Sequence, residues 1–298
     1  MEIRLLRYFW TVATEQNITQ AAQALHITQP TLSRQIHELE EEVGAPLFDR
    51  QHHRLTLTQE GLFLKERAAE ILQLDQQLEQ ALAQKRQRQL SGHFTIGCVE
   101  ADNSDTLALM LEELVNDYPA VHFDLLSATS DEISDRLEKG LLDLAILLEP
   151  VPTENFITLT LPREERWGLL VSKHNFLAQQ AEIRPADLLG TPLLCSSRAP
   201  VQQLLSDFAG VPADQLNVVG TYNLIFNVFS LVANEVGAAV TIEGAVSNRL
   251  GADLRFIPLA PTVKTHCVLA WKQRLHTPVV AELIRRFQHA FQASPTQK

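Results

Sequence analysis

The chain reads as a multi-domain protein: a mainly-α winged helix-turn-helix domain, a long linker helix, and a two-lobed α/β domain. Three observations predict this. Residues 18–43 hold two helical segments around a tight turn. Residues 58–90 contain no proline and, after Gly61, no glycine, so they suit one continuous helix. From residue 91 onward apolar strand-like runs alternate with helical ones, as in a parallel sheet covered on both faces. The expected boundaries are 1–58 for the first domain, 59–90 for the linker and 91–298 for the last. Its first lobe would span about 91–161 and 266–298, and its second about 162–265.

In the first domain, Leu32, Ile36, Leu39 and Val43 recur at steps of four, three and four, so they share a helix face that packs inward. The opposite face carries Pro30, Arg34 and His37, flanked by Thr31, Ser33 and Glu38. Thr28 suits the N-cap, and Pro30 falls in the first turn, where a missing N–H costs nothing. Ala21, Ala22 and Leu25 give the preceding helix the small and apolar residues that close packing needs, leaving His26 and Ile27 for the turn. In such a pair the second helix enters the major groove by its N-terminal end, where side chains bond base edges and backbone N–H groups meet phosphate. Gln29, Thr31, Ser33 and Arg34 occupy that end and, with Thr19, Pro30 and His37, form the candidate DNA-reading surface. A generic amphipathic helix pair would show the same apolar stripe. Pro46–Arg50, Gln51–Arg54 and Leu55–Leu57 then read as strand, polar turn, strand. This is a wing with Arg50 and Arg54 placed against the sugar-phosphate backbone, or an ordinary surface hairpin.

Over these segments, as far as residue 61, the sequence resembles the N-terminal domain of LysR-type transcriptional regulators. The resemblance rests on Leu6-Arg7-Tyr8-Phe9, Ala21-Ala22, Leu25, Gln29 through Ile36, Leu39-Glu40, Gly44, Pro46-Leu47-Phe48, Arg50, Leu57-Thr58 and Gly61. It implies a regulator that binds double-stranded DNA at an inverted-repeat operator. It also implies a dimerising linker helix and a two-lobed effector domain resembling type 2 periplasmic binding proteins. RNA polymerase is a further candidate partner.

The linker can be read without the family. Its roughly thirty residues would make a helix about 45 Å long at 1.5 Å per residue. Leu64, Ala68, Ile71, Leu74, Leu78 and Leu82 recur at steps of three or four, with Gln, Glu, Lys and Arg on the other faces. A narrow stripe with polar flanks suits a partner helix, so Leu64, Ile71, Leu74, Leu78 and Leu82 are candidates for a homodimer, or for one interface of a homotetramer. The alternative is a helix lying on its own chain's core.

Composition fits this plan. The 298 residues suit two domains, and a hydrophobic fraction of 45% excludes a disordered chain. No apolar run approaches a membrane span and no secretory signal opens the chain, so a cytoplasmic location is expected. Cys98, Cys195 and Cys267 lie far apart in apolar stretches, without metal or redox spacing; core packing is the default, with Cys195 kept as a candidate single-thiol sensor. Charge runs against expectation, since residues 1–58 carry five Arg against seven acidic residues and the whole chain is −11. Phosphate neutralisation drives non-specific affinity. The acids, however, cluster at Glu38, Glu40, Glu41 and Glu42, away from Gln29 and Arg34, so binding should rely on paired half-sites. His37 sits where many relatives carry lysine.

In the last domain, Phe94–Val99, Val121–Leu126 and Asp143–Leu148 read as strands, with helices over Thr106–Asp117 and Asp131–Lys139. A second run gives strands at Leu193–Cys195, Leu216–Gly220 and Gly237–Thr241, and helices near Val201–Phe208 and Asn223–Asn234. Phe156–Leu161 and Trp167–Val171 would carry the chain across to the second lobe, Val263–Trp271 would bring it back, and a helix near Pro278–Ala293 would close the first lobe. Gly97, Tyr118-Pro119, Gly140, Asp143-Leu144-Ala145 and Pro192-Leu193 extend the family resemblance here more loosely. In such sheets ligands sit at strand C-termini against helix N-termini. The expected cleft residues are Glu100, Ala101, Thr129, Ser130, Ser196, Ser197, Arg198, Tyr222 and Asn223. Thr129, Ser130 and Asn223 could equally be simple N-caps.

Two departures from the family bear on the ligand. Glu100 and Ala101 stand where many relatives place a serine or threonine that bonds an anion. A carboxylate there disfavours an anion unless Arg198 offsets it, which favours a neutral hydroxylated or amine-bearing effector over a dicarboxylate. Glu235 stands where relatives often have glycine, so local backbone geometry should differ. An enzyme is not expected: the ten histidines are scattered, no Cys-x-x-Cys occurs, and Ser196-Ser197 lacks the glycines of a nucleophile elbow. No cofactor or metal is expected. A plain solute-binding protein would leave residues 1–58 unexplained.

Overall fold

The computed structural model describes residues 1–49, 55–84 and 90–291. The chain divides into two compact units, Met1–Ala83 and Gln84–Lys298.

The first unit opens with helices α1 (Ile3–Glu15), α2 (Ile18–Ala24) and α3 (Gln29–Val43). Asn17 starts α2 by accepting the N–H groups of Thr19 and Gln20. Gly44 stops α3 in a left-handed conformation (φ 78°) that a side chain would strain. Leu32, Ile36 and Leu39 are buried against Leu5, Phe9, Val12, Ala21 and Ala22. Val43, expected on the same face, is 41% exposed because the last turn runs beyond that core. Strands β1 (Phe48–Asp49) and β2 (Thr56–Leu57) pair antiparallel, Phe48 opposite Leu57, and form the base of the wing. Helix α4 follows (Gln59–Gln84). It begins so close to the wing that a Cβ on Gly61 would lie 2.1 Å from the Leu47 carbonyl oxygen, so only glycine fits. Leu64 and Ala68 enter the same core, and Arg7 on α1 bonds Asp75 at 2.9 Å.

The second unit builds one continuous mixed sheet. Its elements are β3 (Gly92–Cys98), α5 (Asn103–Asp117), β4 (Val121–Ser127), α6 (Ser130–Glu138), β5 (Leu144–Leu148) and β6 (Ile157–Ser172), then α7 (Pro185–Leu188), β7 (Leu193–Ser196) and α8 (Ala199–Ala209). There follow β8 (Val218–Tyr222), α9 (Val228–Ala233), β9 (Ala238–Ile242), β10 (Leu254–Pro258), β11 (Lys264–Trp271) and α10 (Pro278–Phe291). Strand order is β4-β3-β5-β11-β6-β9-β7-β8, with β10 added on β6. The β3–β4, β3–β5, β7–β8 and β7–β9 pairs are parallel, as the strand–helix alternation predicts.

The two segments expected to cross between lobes are one strand. Residues 157–166 of β6 pair with β11, whereas Trp167–Leu170 pair with β9 and Gly168–Ser172 with β10. Strand β10 had no distinct signature in the sequence. A second difference lies before α9, which begins at Val228 rather than Asn223. Glu235 adopts a left-handed backbone (φ 59°) although it carries a side chain, so the position holds strain.

Candidate functional site

The candidate DNA-reading surface lies at the start of α3. Gln29, Pro30, Thr31, Arg34 and His37 are exposed and Ser33 is half-buried. Gln29, Pro30, Ser33, Arg34 and His37 share an open groove with Glu40, Pro46 and Phe48 at the wing base. Thr31 lies outside that groove, and Thr19 is exposed on α2. Arg34 has no acidic partner among the described residues, so its guanidinium is available to a base edge or phosphate. His37 Nε2 lies 3.5 Å from Glu41 Oε1 in an exposed contact of little energetic weight. Arg50 and Arg54 lie outside the described residues.

Two details escaped the sequence. Thr28 stands at the N-cap, yet its hydroxyl bonds that of Thr31 at 2.7 Å and caps no backbone N–H. Glu40, counted among the repelling acids, turns inward: its Oε1 accepts the N–H groups of Leu47 at 2.8 Å and Phe48 at 3.2 Å. It therefore fastens the wing to α3. Capping by a distant acid is invisible to local pattern.

On α4 the expected stripe divides. Leu64 is buried in its own unit's core, which corrects its assignment to a partner interface. Ile71, Leu74 and Leu78 are 37%, 40% and 59% exposed. Large apolar side chains in solvent, three and four residues apart, form an uncovered seam. Leu82 continues the helix, and its side chain lies outside the described residues.

In the second unit, a cavity of about 80 Å³ lies where β3, β7, β8 and β9 end beside α6 and α8. Glu100, Thr129, Ser130, Ser196, Arg198, Tyr222 and Asn223 line it together with Trp167, Leu148, Ile225 and Ile242. Ala101 and Ser197 do not. Ala101 is buried, and Ser197 is exposed with its N–H donated to the Tyr222 carbonyl at 2.8 Å.

Most polar groups around this cavity tie the protein to itself. Thr129 caps α6, accepting the Glu132 N–H while Glu132 reaches back to the Thr129 N–H. The Ser130 hydroxyl accepts the Leu148 N–H at 2.9 Å and donates to the Leu148 carbonyl at 3.1 Å. Arg198 crosses between lobes, bonding Asp131 Oδ1 through Nε (3.1 Å) and Nη2 (2.9 Å) and the Pro150 carbonyl at 2.7 Å. Tyr222 donates to the Val240 carbonyl at 2.6 Å, and burial pushes its phenol above the ordinary range. Asn223 is not a helix cap; its Oδ1 accepts the Leu224 N–H at 2.9 Å. Glu100 joins the lobes by accepting the Ile225 N–H at 2.8 Å.

Behind the cavity, Glu165 on β6 is 1% exposed and accepts the N–H groups of Asp102 at 2.7 Å and Gly244 at 3.1 Å. Burial raises its carboxyl above the usual range. Cys195 is buried, and burial pushes its thiol up to about 11, the opposite of what a thiolate sensor needs. Cys98 is pushed up to about 11 in the same way. Among the described residues no group of His, Cys, Asp and Glu could hold a metal ion.

A winged helix-turn-helix unit joined to a two-lobed sheet with an interlobe cavity matches known proteins along its length. Residues 3–62 match the family described as bacterial regulatory helix-turn-helix protein, lysR family, and residues 87–292 match the LysR substrate binding domain. The chain belongs to the LysR family. It is a DNA-binding transcriptional regulator with an effector-binding domain. It is 30% identical to the Hca operon transcriptional activator HcaR of Escherichia coli K12 over 95% of this chain and 96% of that one. It is 27% identical to the HTH-type transcriptional regulator AlsR of Bacillus subtilis 168, over 95% and 94%. Among solved structures it resembles full-length CbnR complexed with its target DNA (TM-score 0.75, 20% identity, covering 97% of this chain and all of that one). It also resembles a full-length OxyR variant from Pseudomonas aeruginosa (TM-score 0.57, 24% identity, 96% and 99%). Among the described residues no helix is long and apolar enough to cross a membrane.

Proposed function

We propose that this regulator reads its operator through Gln29, Ser33 and Arg34, supported by Thr19, Pro30, Thr31 and His37, with the wing following the backbone through Arg50 and Arg54. Two copies pair through Ile71, Leu74, Leu78 and Leu82 and present two recognition helices to an inverted repeat, as a dimer or as half of a tetramer. A small effector binds the interlobe cavity at Glu100, Ser196, Tyr222 and Asn223, and binds one lobe arrangement better than another, since only differential affinity shifts an equilibrium. The chain works in the cytoplasm, contacts RNA polymerase at the promoter and catalyses no reaction. The domain limits 1–58, 59–90 and 91–298 belong to the same proposal.

The observation that carries it is the exposed Arg34 guanidinium, unpaired among the described residues, in a groove with Gln29 and Ser33. A bidentate base contact is worth about 1–3 kcal/mol, so Arg34→Ala should weaken operator binding roughly tenfold or more and relax sequence preference at one position of each half-site. Gel-shift titrations over single-base operator variants measure both. Unchanged affinity and preference in a folded variant would remove Arg34 from the interface.

A further inference from the structure

We infer that the effector of the interlobe cavity bears a protonated amine, an inference that rests on the cavity being the effector site. Arg198, the one cation among the described residues lining the cavity, is already engaged. Its side chain is 7% exposed, its Nε and Nη2 hold Asp131, and its remaining donors face the carbonyls of Leu148 (3.5 Å) and Pro150 (2.7 Å). An anion entering here would find that charge matched by Asp131 and four of the five N–H hydrogens engaged. The hydroxyls at the start of α6 are engaged as well, Thr129 in its capping box with Glu132 and Ser130 with Leu148.

Glu100 is the charged group left over. Its Oε2 accepts the Ile225 N–H, while Oε1 has no donor and no cationic partner among the described residues. The cavity therefore presents an unmatched carboxylate beside the apolar walls of Val99, Leu148, Ile225 and Ile242. Closing such a space around a carboxylate costs solvation unless a donor or positive charge enters with it. An ammonium group supplies both and a second carboxylate supplies neither. The second leftover is Trp167, which lines the same cavity and is 3% exposed, and whose indole N–H has no hydrogen-bond partner among the described residues. Its indole is thus part of the cavity wall and reports on what fills it. The volume of about 80 Å³ limits the ligand to a few heavy atoms in this lobe arrangement. The geometry thus selects a short amine.

Three probes of one size separate the possibilities: ethanolamine, glycolate and ethylene glycol, each titrated at constant ionic strength into the full-length protein. The readout is the indole N–H resonance of Trp167 in a proton–nitrogen spectrum, identified by its loss in Trp167→Phe. Ethanolamine should give a saturable shift, and Glu100→Gln, which keeps an acceptor for Ile225, should weaken it by about ten- to a hundredfold, the range expected for a hydrogen bond to a charged group. Asp131→Asn, which releases the Arg198 charge, should let glycolate saturate where the unaltered protein does not. If glycolate saturates at equal or lower concentration than ethanolamine in the unaltered protein, or Glu100→Gln leaves ethanolamine binding intact, the amine inference is overturned while the cavity remains the effector site. If none of the three probes gives a saturable shift, the cavity assignment falls, and the inference with it.

Discussion

Replacing Glu165 should loosen the whole effector domain. This carboxylate issues from β6, is 1% exposed, and ties the start of α5 in one lobe, through Asp102, to the turn at Gly244 in the other. The approach is tight: a Cβ on Gly244 would lie 2.4 Å from the Asp102 nitrogen and 2.5 Å from Glu165 Oε2. Glu165→Ala leaves two N–H groups without an acceptor in a space too close for repacking. Each such group costs about 1–3 kcal/mol, and the release of a buried charge returns part of that, so a net loss of about 2–4 kcal/mol is expected. Urea unfolding followed by tryptophan fluorescence in a Trp10→Phe background measures it, because Trp167 and Trp271 then report on this domain alone. A loss below about 1 kcal/mol would refute the assignment of Glu165 as an interlobe tie. The pH dependence adds a sign. Burial raises this carboxyl above its ordinary 4.5, so the folded state holds its proton longer than the unfolded chain. The stability it contributes is greatest below 4.5 and declines as pH rises through the window between 4.5 and the raised value. Glu165→Gln should flatten that decline.

Two further perturbations test other parts of the molecule. Ile71→Glu with Leu78→Glu puts two charges into the exposed seam of α4, and sedimentation velocity should show a smaller assembly together with weaker operator binding; unchanged mass would place the interface elsewhere. Glu282 on α10 is held down to about 2 by hydrogen bonds from Arg285 and Arg286. Its contribution is therefore present above 4.5 and lost as pH falls from there towards 2, so Glu282→Gln should lower the melting temperature at neutral pH and flatten the acid limb of a thermal unfolding series.

The helix-turn-helix was legible because its signals are local. Leu32, Ile36 and Leu39 mark the buried face by spacing alone, and Pro30 marks the first turn. The strand–helix alternation of the effector domain was legible for the same reason, and it brought seven of nine expected residues to one cavity. What escaped depends on contacts between segments distant in sequence. Glu40 looks like a repelling acid until Leu47 and Phe48 fold back onto it. Arg198 looks like an anion receptor until Asp131, sixty-seven residues away, closes on it. Asn223 looks like a helix cap because nothing local reveals that the chain bends for four more residues before α9 begins. Leu64 and Ile71 sit on one periodic stripe, yet the first is covered by its own domain and the second is not. Periodicity shows which face is apolar, and tertiary packing decides what covers it.

The path of β6 and β11 through the sheet also governs the order in which the molecule can be made. Lobe one closes only when β11 has paired with β5 and α10 has packed on α5 and β3, and both of these lie after the whole of lobe two in the chain. A growing polypeptide therefore exposes the apolar edge of β5, with Leu144, Ala145, Ile146 and Leu147, while more than a hundred further residues are synthesised. Lobe two has no such wait, since β7, β8, β9 and β10 follow the second half of β6 directly. The inserted lobe should thus reach its native pairing first, and the outer lobe should wait for the C-terminus. A chain ending just before residue 264 would have its DNA-binding head, a finished second lobe and an open first lobe, the arrangement in which a chaperone would find most to grip.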